Sequence, residues 1–375
     1  MSSQFDLFGE PLPAPVAPES STQTALKRTA KAAVLAAKPS DAVLAAAAGM
    51  PANIYLGTSS WSFAGWDGLV YDGSYPEPKL SRDGLGAYAS HPLFRTVSID
   101  RTFYAPIAER DYARYATQVP AGFRFMVKAP MAITSSYLRS DEGVFSDSPY
   151  FLNVDYAINE FIAPCTAGLG AKAGPLVFQF PPQGREATRN PDSWINRLYR
   201  FLKELPPGFL YAVEIRDPEL LTQRFLMCLK TAGVQFCVAS HARMPPPAQQ
   251  IAAATAVLGV GPLIARWTLH SGFKYEVAKA RYFPFNKLVD EDPDSRASLA
   301  TACLRAAADG YPAFVVVNNK AEGSSPLSIE KLAALVSHVA PPSPDPLSRL
   351  RATRLRGRRP CGMASNPHGA GHETG

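Results

Sequence analysis

What most constrains this chain is a regular beat of eight short β-rich runs separated by helical patterns. The runs begin near Ile54, Arg95, Phe123, Pro175, Tyr211, Gln235, Leu263 and Ala313. Eight alternating strand–helix units in a stretch of this length fit a closed parallel (β/α)8 barrel of the TIM type, an α/β fold. An open doubly wound sheet is the alternative. It would normally carry a glycine fingerprint after its first strand, and Gly57-Thr58-Ser59-Ser60 is not one. Hydrophobic residues make up 46% of the 375, enough to fill a barrel core and its helical coat.

The helices announce themselves by their starts and faces. Asn190-Pro191 reads as an N-cap with Pro at the first helical position, followed by Trp194, Leu198, Phe201, Leu202 and Leu205 on one face. Asp217-Pro218 reads as the same device, with Leu221, Phe225, Cys228 and Leu229 as the stripe and Gly233 as the stop. Ser325-Pro326 opens a last helix with Ile329, Leu332, Leu335, Val336 and Val339.

Composition divides the chain into three. Residues 1–50 are rich in Pro, Ser and Ala and read as a mobile arm, residues 51–340 as the barrel, and residues 341–375 as a disordered basic tail. The net charge of +6 dissolves on inspection. Residues 1–50 contribute nothing, and the tail, with six arginines between Arg349 and Arg359, contributes +4. The barrel keeps only +2, so bulk charge is no argument that it binds nucleic acid. The five cysteines have no metal-ligand or CxxC spacing, which points to inert thiols in a reducing compartment, hence a cytoplasmic protein. No run of 18 apolar residues exists, so no membrane span is expected. Six histidines, two of them in the tail, are too few for a multi-histidine metal centre. No metal and no cofactor are expected.

Alternation along each strand sorts its side chains into helix-facing and lumen-facing sets. In Tyr211–Arg216 the apolar Tyr211, Val213 and Ile215 suit the helix layer, so Glu214 and Arg216 point inward. The same rule sends Ser98, Asp100, Lys128, Gln179 and Arg266 into the lumen, and the eighth strand ends in Asn318-Asn319-Lys320. These polar groups gather at the C-terminal strand ends, the face that carries the active site in this barrel class. Two readings follow. One is a structural ion network that fills the mouth. The other is an anion pocket in which Arg216, Arg266 and Lys128 hold a phosphate or carboxylate and Glu214 transfers a proton. Ser324 and Ser325, at the start of the last helix, would add backbone N–H donors.

These residues sit within recognisable motifs. Gly57-Thr58-Ser59-Ser60-Trp61 with Trp66 and Gly68, Thr102-Phe103-Tyr104, Phe125-Met126-Val127-Lys128, Gly174-Pro175 with Gln179-Phe180-Pro181-Pro182, Val213-Glu214-Ile215-Arg216 and Asn318-Asn319 occur in that order. Over residues 53–340 the chain resembles the domain-of-unknown-function 72 (YecE-like) family. Asn319-Lys320-Ala321-Glu322-Gly323 is similar to the ending of a longer branch of that family. The resemblance implies a TIM-type barrel and supplies no reaction. It also exposes three departures. Val97-Ser98-Ile99-Asp100 stands where the family typically reads Val-Glu-Ile-Asn, and Ser135 and Asp217 stand where it has histidines. An anion pocket survives these changes better than a histidine-dependent mechanism does.

Trp61, Trp66, Phe103, Tyr104, Tyr275 and Tyr282 lie on loops after strands, either as packing or as a stacking wall over the mouth, with Trp61 and Tyr104 as candidate ligand contacts. The connection from His270 to Pro293 is long enough to act as a lid, and His270 is the histidine expected nearest the site. In the arm, Gln4-Phe5-Asp6-Leu7-Phe8 resembles the pentapeptide by which bacterial repair and replication proteins dock on the sliding clamp; Gln4, Leu7 and Phe8 would be its anchors. Three functional readings therefore stand. The first is a barrel-mouth enzyme or binder for a small anionic ligand. The second is a non-catalytic DNA-metabolism accessory protein tethered to the clamp. The third is a degenerate barrel without chemistry.

Overall fold

The eight runs pair edge to edge in chain order, all parallel, and the last returns to the first. In the computed structural model, which describes residues 33–139, 145–269 and 273–338, the strands are β1 (Ile54–Thr58), β2 (Phe94–Ile99), β3 (Arg124–Lys128), β4 (Ala173–Gln179), β5 (Tyr211–Glu214), β6 (Gln235–Ser240), β7 (Leu263–Trp267) and β8 (Ala313–Val317). They form one closed barrel, with β1 hydrogen-bonded to both β2 and β8. Helices surround it, as in the TIM-type architecture that the strand count implied.

Alternation has divided the apolar residues into two layers. Phe125, Val127, Phe178, Phe180, Val213 and Ile215 face outward into the large core beneath the helices. Met126, Val177, Ala212, Cys237, Ile264, Phe314 and Val316 face inward and plug the lower lumen as a second, smaller core. Closure needs one close approach. At the β1–β2 register shift a Cβ on Gly57 would stand 1.8 Å from the Thr96 carbonyl oxygen, so only glycine fits.

The helix Pro191–Glu204 forms as its sequence dictates. The Asn190 side chain accepts the Ser193 N–H, and Trp194, Leu198, Phe201 and Leu202 are buried. The next helix starts later than the Asp217-Pro218 pair suggests. Pro218–Leu220 is a single 3-10 turn, and Thr222 caps the helix Gln223–Ala232 by accepting the Phe225 N–H. Gly233 ends it in the left-handed region (φ 73°). In the last helix, Ser325–His338, Ile329, Leu332 and Val336 are buried, but Leu335 is exposed.

Two features depart from the sequence reading. The arm does not run to residue 50. Asp41–Gly49 is a helix capped by Ser40, and it buries Val43 and Ala46 against the last helix. Arg95 holds its C-terminal end, donating to the carbonyls of Pro51 at 2.7 Å and Met50 at 3.4 Å. So short an Ala-rich segment is marginal as an isolated helix, and a partner helix and a guanidinium supply what its own sequence lacks. The second departure is a short antiparallel hairpin, Tyr137–Arg139 with Phe145–Asp147, in the connection after β3. The Gln4–Phe8 peptide, His270 and residues 341–375 lie outside the described residues. Among the described residues no helix is long and apolar enough to cross a membrane.

Candidate functional site

The polar residues assigned to the lumen meet above the apolar plug. Glu214, at the end of β5, is wholly buried. Its carboxylate is ion-paired with Arg216 Nη2 on one side and with Arg266 Nη1, from β7, at 3.0 Å on the other. Arg266 Nη2 continues to Asp100 Oδ2 at 2.7 Å, and Ser98 Oγ donates to Asp100 Oδ1 at 2.5 Å. The chain Ser98–Asp100–Arg266–Glu214–Arg216 thus spans the mouth from β2 to β5. The facing Ala239, paired in register with Arg266, leaves room for the guanidinium. Gln179 is buried beside Glu214, its partner in the β4–β5 register.

Lys128, at the end of β3, belongs to the same cluster and is only 1% exposed. Its ammonium lies 3.3 Å from the centroid of the Phe103 ring. The 3-10 turn Arg101–Phe103 positions that ring, and Thr102 Oγ1 ties the turn to the Lys128 carbonyl at 2.5 Å. Both carboxylates of the cluster are committed to arginines, and Lys128 Nζ has no acceptor among the described residues. Arg216 Nη1 and Arg266 Nε are also buried without one. Three cations face two carboxylates, and each cation has an orphaned nitrogen; Glu214 Oε1, ion-paired with Arg216, is the one carboxylate oxygen of the cluster without a well-aligned hydrogen bond.

Electrostatics follow this imbalance. Burial pushes the Glu214 carboxyl up, but Arg216, Arg266 and Lys128 together bring it below its ordinary value, so it stays ionised. That makes Glu214 a poor proton donor and a good anchor for two guanidiniums. Burial, reinforced by Arg266, pushes the Lys128 amine down to about 7 despite the opposing pull of Asp100 and Glu214. Burial also lowers Arg216, against the pull of Glu214, whereas Asp100 and Glu214 raise Arg266 against its own burial.

Other expected site residues have different roles. Asn319 is wholly buried, and its Oδ1 accepts from Trp66 Nε1 at 3.2 Å, the Ser325 N–H at 2.9 Å and Ser325 Oγ at 2.8 Å. It therefore caps the last helix and occupies the Ser325 N–H that was expected to receive a phosphate. Asn318 braces the loop, donating to Ser59 Oγ at 2.9 Å and accepting the Lys320 N–H at 3.0 Å. Trp61 is no stacking wall. It is 6% exposed, donates to the Ser81 carbonyl at 3.3 Å and meets Tyr115 edge-on in the outer core. Tyr104 is exposed at the rim and packs edge-on against Phe103, one ring removed from Lys128.

The departures from the family motifs also have local explanations. Asp217 accepts the Gln183 N–H at 2.7 Å, tying the β5 loop to the β4 loop, and Ser135 Oγ donates to the Tyr137 carbonyl at 2.5 Å where the hairpin begins. After β7, the helix Tyr275–Tyr282 and Phe285 pack with Leu269 and Phe63. A Cβ on Gly65 would stand 1.7 Å from the Pro284 carbonyl, so this connection is seated on the β1 loop. Lys320 Nζ lies 4.1 Å from the Tyr275 ring centroid beneath it.

His241 went unrecognised in the sequence. It follows Ser240 directly, so it stands at the mouth, where Arg216 and Glu214 act on it. Burial and then Arg216 lower it to about 4, which keeps the ring neutral. Its Nδ1 accepts the Arg243 N–H at 3.3 Å, leaving the proton on Nε2. Its signal was available: it is the first residue after a strand. Among the described residues no three His, Cys, Asp or Glu side chains gather as metal ligands would.

Residues 55–349 match the family described as "Protein of unknown function DUF72". The chain belongs to the DUF72 family. It is 28% identical over 129 residues to the UPF0759 protein YunF of Bacillus subtilis strain 168, covering 34% of this chain and 40% of YunF. It is 27% identical over 170 residues to the UPF0759 protein YecE of Escherichia coli K12, covering 45% of this chain and 51% of YecE. The matched stretches thus span about half, or less, of these curated relatives. A crystal structure of a DUF72 family protein from Enterococcus faecalis V583 superposes with a TM-score of 0.53 at 18% identity, over 76% of this chain and 96% of that one. That likeness concerns the fold.

Proposed function

We propose that the C-terminal mouth of this DUF72 barrel binds a small oxyanion, the phosphate or carboxylate group of a metabolite. The observation that carries the reading is the set of buried donors without acceptors on Arg216, Arg266 and Lys128. An orphaned buried donor costs about 1–3 kcal/mol, more when charged, and an anionic oxygen that reaches such a donor removes that cost. Glu214 fixes the two guanidiniums, and Asp100 and Ser98 fix Arg266 from the far side. Gln179 and the neutral His241 stand at the edge as further polar contacts.

Inorganic phosphate and pyruvate are the probes, read by calorimetry and thermal shift. Wild-type protein binds at least one of them, and Arg216→Gln weakens binding about ten-fold or more. Affinity falls as pH rises above 7, because Lys128 loses its proton there. If neither anion stabilises the wild-type protein at about 10 mM, the reading fails and the cluster is a structural network.

The Gln4–Phe8 peptide supports a separate reading, docking on a bacterial sliding clamp. Purified clamp retained by the wild-type chain and lost with Phe8→Ala would support it; no retention by the wild type sinks it.

A further inference from the structure

We propose that Lys128 is a nucleophile that condenses with the carbonyl carbon of a small ligand carrying an anionic group, a 2-oxo acid or a phosphorylated aldehyde or ketone. The inference rests on the anion site proposed above and names the ligand class that would use it.

Position and company distinguish Lys128 from a structural lysine. It sits at the C-terminal end of a barrel strand, inside the lumen, rather than on the helical coat. Buried cations are ordinarily paired. Here both lumen carboxylates are bound to guanidiniums instead, and no ion pair reaches Lys128 among the described residues. A Phe103 ring covers one side of the amine. Desolvation with neighbouring cations is the arrangement that keeps a lysine amine neutral and nucleophilic near physiological pH. Its amine is accordingly poised at about 7, with both forms populated. The neighbours are suited to the partner. Arg216 Nη1 is a free donor for the ligand's anionic group, and Asp100, with its carboxylate 23% exposed, marks where the cluster opens to solvent.

The step balances without a further reagent. The Nζ lone pair forms a C–N bond to the carbonyl carbon, and the C=O π pair moves to oxygen. Both amine protons pass to that oxygen, which leaves as water as the C=N bond forms. One proton from solvent converts the neutral imine to an iminium. Borohydride delivers hydride to the same carbon and leaves a stable secondary amine.

The experiment incubates the full-length protein with pyruvate in one arm and dihydroxyacetone phosphate in the other, adds sodium borohydride, and maps the adduct by peptide mass spectrometry. The expected result is an adduct on Lys128, its mass that of the ligand less one oxygen atom. Its yield should rise from about pH 6 to about pH 8 and fall several-fold with competing inorganic phosphate. The reactive arm tells a carboxylate-bearing ligand from a phosphate-bearing one. Lys128→Arg should abolish this adduct and leave background labelling of exposed lysines unchanged. Lys128→Met, checked by near-UV circular dichroism, serves if the arginine variant does not fold. An unmodified Lys128 in both arms, in protein that still binds phosphate, overturns this inference and leaves the anion site standing. A Lys128 adduct indifferent to phosphate supports the nucleophile and overturns the anchoring site.

Discussion

The barrel mouth and the connection after β8 each hold a buried ion cluster, and the two are built from similar parts. In the second, the wholly buried Glu322 pairs with Arg296 and accepts the Asp292 N–H at 2.7 Å. Arg296 also reaches Glu291 at 3.0 Å, and Lys331 reaches the same Glu291 at 2.6 Å. Two cations meet two carboxylates, and the buried atoms left without partners are one donor, Arg296 Nε, and one acceptor, Glu322 Oε2. At the mouth three cations meet two carboxylates; each cation keeps an unpaired donor, against one acceptor, Glu214 Oε1, which is ion-paired with Arg216 but accepts no well-aligned hydrogen bond. The inner pair Arg296–Glu322 is as buried as Glu214 with its arginines, so burial alone does not mark a receptive site. The two clusters differ in their balance of unpaired donors over acceptors, three to one at the mouth and one to one in the second. A cluster that balances can hold a loop in place unaided, whereas the surplus donors at the mouth are what the proposed anion site rests on.

The largest effect should come from removing the cation that bridges both carboxylates at the mouth. Arg266→Met leaves Glu214 with Arg216 alone and Asp100 with Ser98, so unfolding in denaturant should show a loss of about 3–5 kcal/mol. A smaller loss would mean that the bridge carries little of the cluster's order.

Lys128→Met should act in the opposite direction. It removes a buried amine that has no counter-ion, and it should stabilise the protein by about 1–4 kcal/mol near neutral pH while weakening anion binding. The unfolded chain holds this proton up to the ordinary lysine value of 10.5, whereas the folded chain releases it at about 7. Between these values the unfolded state binds more protons, so the folded wild type gains stability as pH rises. The advantage of Lys128→Met should therefore be greatest below pH 7 and shrink steadily towards pH 10. An advantage constant with pH would show that the amine is not the cause.

In the balanced cluster, Glu322→Gln should cost about 1–3 kcal/mol, because Arg296 loses its most buried partner and keeps Glu291. It should leave phosphate binding at the mouth unchanged, which separates the two clusters functionally.

How far the sequence discloses this comparison depends on the range over which each interaction acts. The lumen positions of Glu214, Arg216, Lys128 and Arg266 follow from period-two alternation within single strands, and they were legible. Their pairing was not, since Arg266 meets Asp100 across 166 residues of chain. Local signals also misled where a distant group competed for the same atom. Asp217 resembles a helix cap, but its carboxylate is taken by the Gln183 N–H, and Thr222 caps in its place. Asn319 resembles a ligand contact, but Trp66 and Ser325 converge on its oxygen. The helix Asp41–Gly49 lies in a stretch whose composition suggests a mobile arm, because its order comes from Arg95 and the last helix, neither of them nearby in sequence. The position of His241, by contrast, follows from the end of β6 alone, since it is the next residue after Ser240.

The smallest expected effect lies at the outer edge of the balanced cluster and tests whether balance or mere contact matters there. Lys331 pairs with Glu291, but their side chains are 47% and 42% exposed. Water and salt screen such a pair, and holding two long side chains together costs entropy that offsets most of the attraction. Lys331→Met should therefore change stability by no more than about 0.5 kcal/mol, and that difference should vanish in about 1 M salt. The buried half has no such escape, so the Glu322→Gln loss should persist at the same salt. A Lys331→Met loss as large and as salt-resistant as that of Glu322→Gln would mean that the four side chains act as one unit. Charge balance would then have to be counted over the whole network rather than over its buried pair.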